Sequence, residues 1–102
     1  MSNRHTVIVI LDAKKEKIAE LESALKIILK ASRAEKTNFE YRLHINTDNP
    51  QQFILYEQWE SKEKHAEQFK KPYIIEFSKQ LDDLLDKPYQ VYFPKEILEN
   101  HL

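Results

Sequence analysis

The chain has 102 residues, no cysteine and no glycine, and its charged residues nearly balance to a net charge of −1. We expect a single domain over 1–102 without disulfides, thiolate metal sites or glycine-rich phosphate loops. The balanced charge does not predict a nucleic-acid surface or an anionic membrane surface. The longest apolar run, 7–11, is too short to span a bilayer, and the N-terminus lacks a signal-peptide pattern, so we expect a cytoplasmic protein.

The first predicted elements are a strand and a helix. His5–Leu11 is a run of mostly β-branched residues, which is typical of a strand buried on both faces. Asp12 is a suitable N-cap for a helix that we expect to run from Lys14 to about Ala34. The apolar residues of this helix recur on one face, with Lys and Glu opposite. They are Ile18, Leu21, Leu25, Ile28 and Leu29.

The next two segments predict an antiparallel hairpin. After a turn at 35–38, where Asn38 is expected to take a left-handed backbone conformation, Phe39–Asn46 alternates apolar and polar residues. Thr47–Pro50 is a strong turn signal, and a second strand follows over 53–59. The alternation in that strand predicts one face with Phe53, Leu55, Glu57 and Trp59, and another with Ile54, Tyr56 and Gln58.

Glu57 is a carboxylate on a largely apolar strand face, two residues before the only tryptophan of the chain. A buried carboxylate without a partner is costly, so Glu57 needs a hydrogen-bond donor or a raised pKa. An ion pair with a nearby Lys or Arg is the structural alternative to a functional role.

A second helix and a last strand complete the pattern. Ser61 is expected to be the helix N-cap, and Pro72 should kink or restart the helix before Lys87–Pro88 ends it. Tyr89–Phe93 reads as the final strand, and 94–102 as a C-terminal extension. The order βαββαβ predicts an α+β, ferredoxin-like domain with an antiparallel sheet.

The predicted sheet has one face without helices. Ile54, Tyr56 and alternate residues of 7–11 would lie there, and an apolar face of that size is rarely open to water. We therefore expect a homodimer in which two sheets pack face to face. His44 could point into this interface, whereas His5 and His101 receive no predicted role.

Three segments carry a family resemblance. Ala34–Tyr41 is similar to the motif Ala-Glu-Pro-Gly-x-x-x-Tyr, and Asn49–Pro50 with Phe53–Ser61 to Phe-x-Leu-x-Glu-x-Trp-x-Ser. Pro72–Phe77 is similar to a Ser-Pro-His-Phe region. In this order, over about 5–93, the chain resembles the antibiotic biosynthesis monooxygenase (ABM) superfamily, especially its small quinol monooxygenase-like and autoinducer-degrading members. The resemblance implies a dimeric α+β barrel.

The chain departs from the family pattern at three positions. The family's helix His, nine residues after the Trp, falls on Gln68, and His65 lies about one turn earlier. The turn Gly falls on Thr37, and the His after the Pro is Tyr73.

The resemblance implies cofactor-independent oxygenation of a quinol or a similar small hydroxylated aromatic compound by dioxygen. Such chemistry needs a dry apolar pocket, a base and a hydrogen-bond donor. His65 and Glu57 are the candidate catalytic bases. The candidate substrate-binding residues are Trp59, Gln68, Tyr41, Phe69, Tyr73 and Phe77. The alternative for His65 and for the aromatic residues is a purely packing role.

Two other functions stay open at this stage. One is a non-catalytic dimeric ligand-binding or stress protein, which the Gln at position 68 favours. The other is an isomerase or degradative enzyme of the autoinducer-degrading type. No metal site is expected, because the chain has neither cysteine nor a His pair at i, i+4 spacing. Haem-degrading relatives share the fold, but the sequence favours them less, because the second helix has no clear proximal His other than His65.

Overall fold

The computed structural model describes residues 4–99, which form an α+β fold with a four-stranded antiparallel sheet. The strand order is β2-β3-β1-β4, as the ferredoxin-like prediction requires. No helix among the described residues is long and apolar enough to cross a membrane. In chain order the elements are β1 (His5–Asp12), α1 (Ile18–Arg33), β2 (Asn38–Asn46), β3 (Asn49–Trp59), α2 (Lys62–Glu67), α3 (Pro72–Leu84) and β4 (Gln90–Tyr92).

Helix α1 packs its predicted apolar stripe against the sheet. Leu21, Leu25 and Ile28 are buried, because they recur on the one face that meets the core. The prediction that Asp12 caps this helix is wrong. Asp12 is the last residue of β1, its Oδ1 accepts a hydrogen bond from Gln52 Nε2 at 3.1 Å, and a short 3₁₀ turn precedes α1.

The β2–β3 hairpin has the predicted antiparallel pairing, but two details differ. Only Thr47 and Asp48 form the turn, and β3 begins at Asn49, earlier than expected, so Pro50 lies inside the strand. Asn38 does not have a positive φ. The turn before β2 closes instead through a hydrogen bond from Asn38 N–H to the carbonyl of Glu35 at 3.1 Å.

The second helical region is divided at Pro72, as the sequence predicts. Ser61 caps α2, since its Oγ accepts a hydrogen bond from the backbone N–H of Lys64 at 3.1 Å. A 3₁₀ turn over Gln68–Lys70 follows, and α3 begins with Pro72 in its first turn, where a missing N–H is tolerated. This break separates α2 from α3.

The two faces of the sheet differ in burial. Phe53, Leu55, Glu57 and Trp59 all face the helices and are buried, as the alternation in β3 predicts. Ile54, Tyr56 and Gln58 on the opposite face are half-buried. The homodimer that this second face favours stays a prediction. Residues 94–99 are exposed and irregular, and His101 lies outside the described residues.

Candidate active site

A cleft lies between the helix-covered face of the sheet and the helices α2 and α3. It contains about 520 Å³ of empty space, part of which is open to solvent. Six of the residues that line it have polar side-chain atoms, and the remaining walls are apolar, most of them aliphatic. Four of the polar residues are predicted site residues, Tyr41, Glu57, His65 and Gln68, and the other two are Ser78 and Tyr89.

Glu57 is the buried carboxyl group of this cleft, with 2% of its surface exposed. Trp59 Nε1 donates a hydrogen bond to Glu57 Oε1 at 2.7 Å. Burial raises the pKa of Glu57 from 4.5 to about 7, although the Trp59 hydrogen bond acts in the opposite direction. Because the pKa lies near neutrality, Glu57 can both accept and return a proton at physiological pH.

His65 projects from α2 toward the same carboxyl group. Its Nε2 lies 3.9 Å from Glu57 Oε1, which is too long for a hydrogen bond. Burial, together with the nearby ring of His5, lowers the pKa of His65 to about 4. His65 is therefore neutral at pH 7, when a neutral imidazole offers one N–H donor and one acceptor nitrogen.

Aromatic rings surround His65. The ring of Trp59 lies 5.6 Å from it and that of Phe69 lies 5.3 Å from it, centroid to centroid. His5 lies 5.4 Å away and stacks on Phe93 at 5.1 Å. Within residues 4–99, His5 Nε2 is buried and has no hydrogen-bond partner. Burial lowers the pKa of both histidines, and charge repulsion acts in the same direction, from Lys62 on His5 and from His5 on His65.

Gln68 belongs to a buried network on the other side of the cleft. Its Nε2 donates to Ser32 Oγ at 2.8 Å and lies 3.4 Å from the Tyr73 hydroxyl. Burial, with a smaller effect from Glu57, raises the pKa of Tyr41 well above its usual value, so Tyr41 remains a neutral phenol. The side chains of Ser32 and Gln68 act in the opposite direction on this pKa.

Comparison with protein-family models identifies the family. The model of the antibiotic biosynthesis monooxygenase family matches residues 4–80, most of the chain. The chain belongs to the ABM family. Membership supports a monooxygenase-type function at the level of the family. A search of curated proteins found no match.

Solved structures share the fold of this ABM protein. Rv0793 from Mycobacterium tuberculosis is 22% identical, with a TM-score of 0.87 over 95% of this chain and 98% of that chain. PA3566 from Pseudomonas aeruginosa is 24% identical, with a TM-score of 0.83 over 94% and 98%. A structure named antibiotic biosynthesis monooxygenase is 15% identical, with a TM-score of 0.86 over 92% and 99%. At these identities the likeness concerns the fold alone.

The ABM protein brings most of the predicted site residues to one cleft. Besides the four polar residues of this set, Phe69 and Phe77 line it, although Phe69 is 54% exposed. Trp59 and Tyr73 lie behind this lining, where Trp59 contacts Glu57 and Tyr73 contacts Gln68. Their predicted role in contacting substrate stays a prediction. His44 is exposed on β2, outside the cleft.

Sequence reasoning missed two polar residues near the cleft. Ser32 occupies a position that reads as an ordinary helix residue, yet it is fully buried and holds Gln68. His5 lies near the site because the antiparallel pairing of β1 with β3 places His5 opposite Trp59. Position 32 lies four residues after Ile28, on the same buried face of α1. This helical spacing was the signal from which the burial of Ser32 could have been predicted. Among residues 4–99, no three His, Asp or Glu side chains are grouped closely enough to hold a metal ion.

Proposed function

We propose that this protein is a cofactor-independent monooxygenase that oxidises a quinol or a similar small hydroxylated aromatic compound with dioxygen. The observation that carries the proposal is Glu57, a buried carboxyl group with a pKa of about 7 that lines an otherwise largely apolar cleft. A base of this kind is matched to a phenolic proton, because burial strengthens its affinity for protons while leaving a substantial ionised fraction at pH 7.

The reaction begins with proton transfer. Ionised Glu57 takes a hydroxyl proton from the quinol, and the quinolate gives one electron to dioxygen. The two radicals combine, forming a bond between a ring carbon and oxygen, and Glu57 returns its proton to the peroxide. The O–O bond then breaks as the ring carbon loses its hydrogen, so one oxygen atom remains as a carbonyl and the other leaves as water. For unsubstituted hydroquinone the products are hydroxybenzoquinone and water.

The other polar residues hold the substrate. Neutral His65 has its Nε2 3.9 Å from Glu57 Oε1, so a substrate hydroxyl placed between them could bridge the two groups. Tyr41 and Gln68 add neutral polar groups to the same lining, in a cleft whose walls are mostly apolar. A low-polarity surrounding makes the quinolate a stronger electron donor than it is in bulk water.

Isotope labelling tests the proposal. Purified protein is incubated with a panel of reduced quinones under ¹⁸O₂, and product and water are analysed by mass spectrometry. Incorporation of one labelled atom into the product and the other into water is expected. Production of unlabelled quinone with hydrogen peroxide would be simple autoxidation and would contradict the proposal.

Variants connect the activity to the cleft. Glu57→Gln keeps an acceptor for the Trp59 N–H but cannot take a proton, so turnover is expected to fall by about 10²–10⁴-fold, the usual contribution of a positioned base. Glu60→Gln is the matched control, because Glu60 is an exposed carboxyl group three residues away. Equal activity of Glu57→Gln and wild type would remove Glu57 from the reaction.

A second candidate function is non-catalytic binding of a small ligand. Gln68 favours it, because this amide cannot titrate and its donor group is held by Ser32 and Tyr73. Tight binding of aromatic ligands without product would support this function. Gln68→His would then test whether an imidazole at this position produces turnover. Product analysis would separate both functions from an isomerase, which rearranges its substrate without consuming dioxygen.

A further inference from the structure

Most of the residues that line the candidate cleft between its Glu57 end and its Tyr89 end are apolar. Strand β1 runs along its floor and contributes Val7, Val9 and Leu11. In the β1–β3 pairing Val7 lies opposite Glu57, whereas Leu11 lies opposite Phe53. Four residues of strand span about 13 Å, so the lining extends roughly that far from the level of the polar group.

Helix α3 gives a second measure of the same length. Ile74, Phe77 and Leu81 line the cleft along α3, and Ile74 to Leu81 covers about 10 Å at 1.5 Å per residue. Val91 of β4 pairs with Val9 of β1 and lines the cleft beside it. Apart from Ser78, the residues of β1, α3 and β4 that line this length are apolar, so the cleft is largely apolar over a distance greater than one aromatic ring.

The aliphatic end opens to the surface beside Tyr89. Ser78, Leu81 and Tyr89 line both this cleft and an outer groove, whose charged residues are Asp82, Asp86 and Lys87. The loop after α3 is tied to the end of β1, because Asp86 N–H donates to the carbonyl of Asp12 at 2.8 Å. The cleft therefore has a mouth at the end of the sheet opposite to the Glu57 level, and that mouth carries two acidic groups and one basic group.

We propose that the substrate is a hydroxylated aromatic ring carrying an unbranched or branched hydrocarbon tail, with the ring at Glu57 and the tail directed along Leu11, Leu81 and Val91 toward Tyr89. This inference rests on the proposed function, because it assumes that the hydroxyl groups meet Glu57 and His65. A small sugar-like or fully polar ligand would leave the aliphatic walls without apolar contacts, and a tail that ends in an anion would meet Asp82 and Asp86.

A homologous series of alkylhydroquinones, from methyl to octyl, tests the tail. Affinity is measured by calorimetry without oxygen, so that binding is observed separately from turnover. Each methylene that enters the cleft is expected to lower Kd about fourfold, which corresponds to about 0.8 kcal/mol, until the tail reaches the mouth. A carboxylate at the end of the tail is expected to weaken binding relative to the methyl-ended tail of equal length.

A variant at the mouth locates the tail. Ser78→Phe adds a large side chain where an exposed helix position lines the cleft, and it should shorten the longest tail that still gains affinity. Lys79→Phe is the matched control, because Lys79 is the exposed next residue of α3 and lies outside the cleft lining. The control should bind the whole series as wild type does.

The outcomes separate this inference from the proposed function. Kd values that do not change with tail length, or a Ser78→Phe variant with the wild-type length profile, would overturn the tail while leaving oxygenation of short quinols intact. A clear length dependence without ¹⁸O incorporation would support the tail-binding cleft and contradict the monooxygenase. Tighter binding of the carboxylate-ended series would also overturn the inference.

Discussion

Glu57 and His65 have pKa values shifted in directions that keep both side chains neutral. Between pH 4 and 7 the buried pair therefore exists mainly as carboxylic acid and neutral imidazole, since the pKa of Glu57 is about 7 and that of His65 about 4. The two groups are 3.9 Å apart, and Trp59 rather than a Lys or Arg donates to the carboxyl group. The sequence leaves open whether Glu57 forms an ion pair with a Lys or Arg, or has another hydrogen-bond donor or a raised pKa. The structure supports a hydrogen-bond donor, Trp59, together with a raised pKa.

The pH dependence of turnover should report Glu57. If ionised Glu57 is the base, kcat/KM rises about tenfold per pH unit below its pKa of about 7 and levels off above it. His65 is already neutral in this range and adds no second limb. Oxygen consumption measured from pH 5.5 to 8.5 checks this profile. Glu57→Gln should lose the limb near 7, whereas Glu60→Gln should keep it. A limb that persists in Glu57→Gln would belong to another group.

Conformational stability should reveal the same two shifts with opposite signs. The pKa of Glu57 is higher in the folded chain than its ordinary 4.5, so its stabilising effect is complete below pH 4.5 and is lost as the pH rises to about 7. The loss amounts to about 3 kcal/mol. The pKa of His65 is lower than its ordinary 6.5, so its effect reduces stability as the pH falls from 6.5 to about 4. The slopes oppose each other between 4.5 and 6.5.

Single variants separate the two slopes. Relative to wild type, the free energy of unfolding of His65→Phe should fall more steeply from pH 4.5 to 7, because only Glu57 still titrates. That of Glu57→Gln should rise more steeply from pH 4 to 6.5. Urea denaturation at several pH values measures both differences, and other titrating groups cancel in the comparison. Variants that run parallel to wild type would show that neither group has a shifted pKa in the folded protein.

At the scale of elements, the site depends on how α2 is started and stopped. Ser61 caps the helix with its side chain, and its carbonyl accepts the backbone N–H of His65 at 3.1 Å. The 3₁₀ turn ends the helix directly after Glu67 and turns Gln68 inward, where it is 4% exposed. One short element thus holds both His65 and Gln68 on the cleft.

Loss of the Ser61 cap should loosen this element. Ser61→Ala removes the acceptor of the Lys64 N–H and should lower the free energy of unfolding by about 1 kcal/mol. Ser61→Asn is the matched control, since Asn caps as well as Ser and should cost little. Urea denaturation compares the two. Equal losses in both variants would mean that the side chain acts through packing rather than through the cap.

The sequence predicts the elements better than it predicts their contacts. Alternation in β3 and the Ser61 and Pro72 signals are local, and each is confirmed because neighbouring residues suffice to specify it. The nearness of His5 to His65 is not local. It follows from the pairing of β1 with β3 and from the packing of α2, which sequence spacing does not encode. The contact between Ser32 and Gln68 is not local either, because these residues are 36 positions apart in the sequence.

At the scale of the whole molecule, the outer face of the sheet carries half-buried apolar side chains with no helix packed over them. Ile10 lies directly opposite Ile54, and Ile8 lies between Tyr56 and Tyr92 in the strand pairings. Side chains that meet across strands in this way form a continuous patch. Such a patch is expected to be covered in solution, and a second copy of the same face is self-complementary by two-fold symmetry.

We therefore expect a homodimer in which the outer sheet faces pack together. Sedimentation velocity should give twice the chain mass of 12.3 kDa. Ile54→Lys places a charge at the centre of the face and should weaken association by at least 100-fold, because a buried unpaired charge is strongly unfavourable. Ile27→Lys is the matched control, since Ile27 is 65% exposed on α1 and far from this face in the fold.

A monomeric wild type, or an Ile54→Lys variant that stays dimeric, would contradict the arrangement. Circular dichroism of both variants distinguishes dissociation from unfolding. A folded monomer keeps the helical signal, although its mass in sedimentation is half that of the dimer.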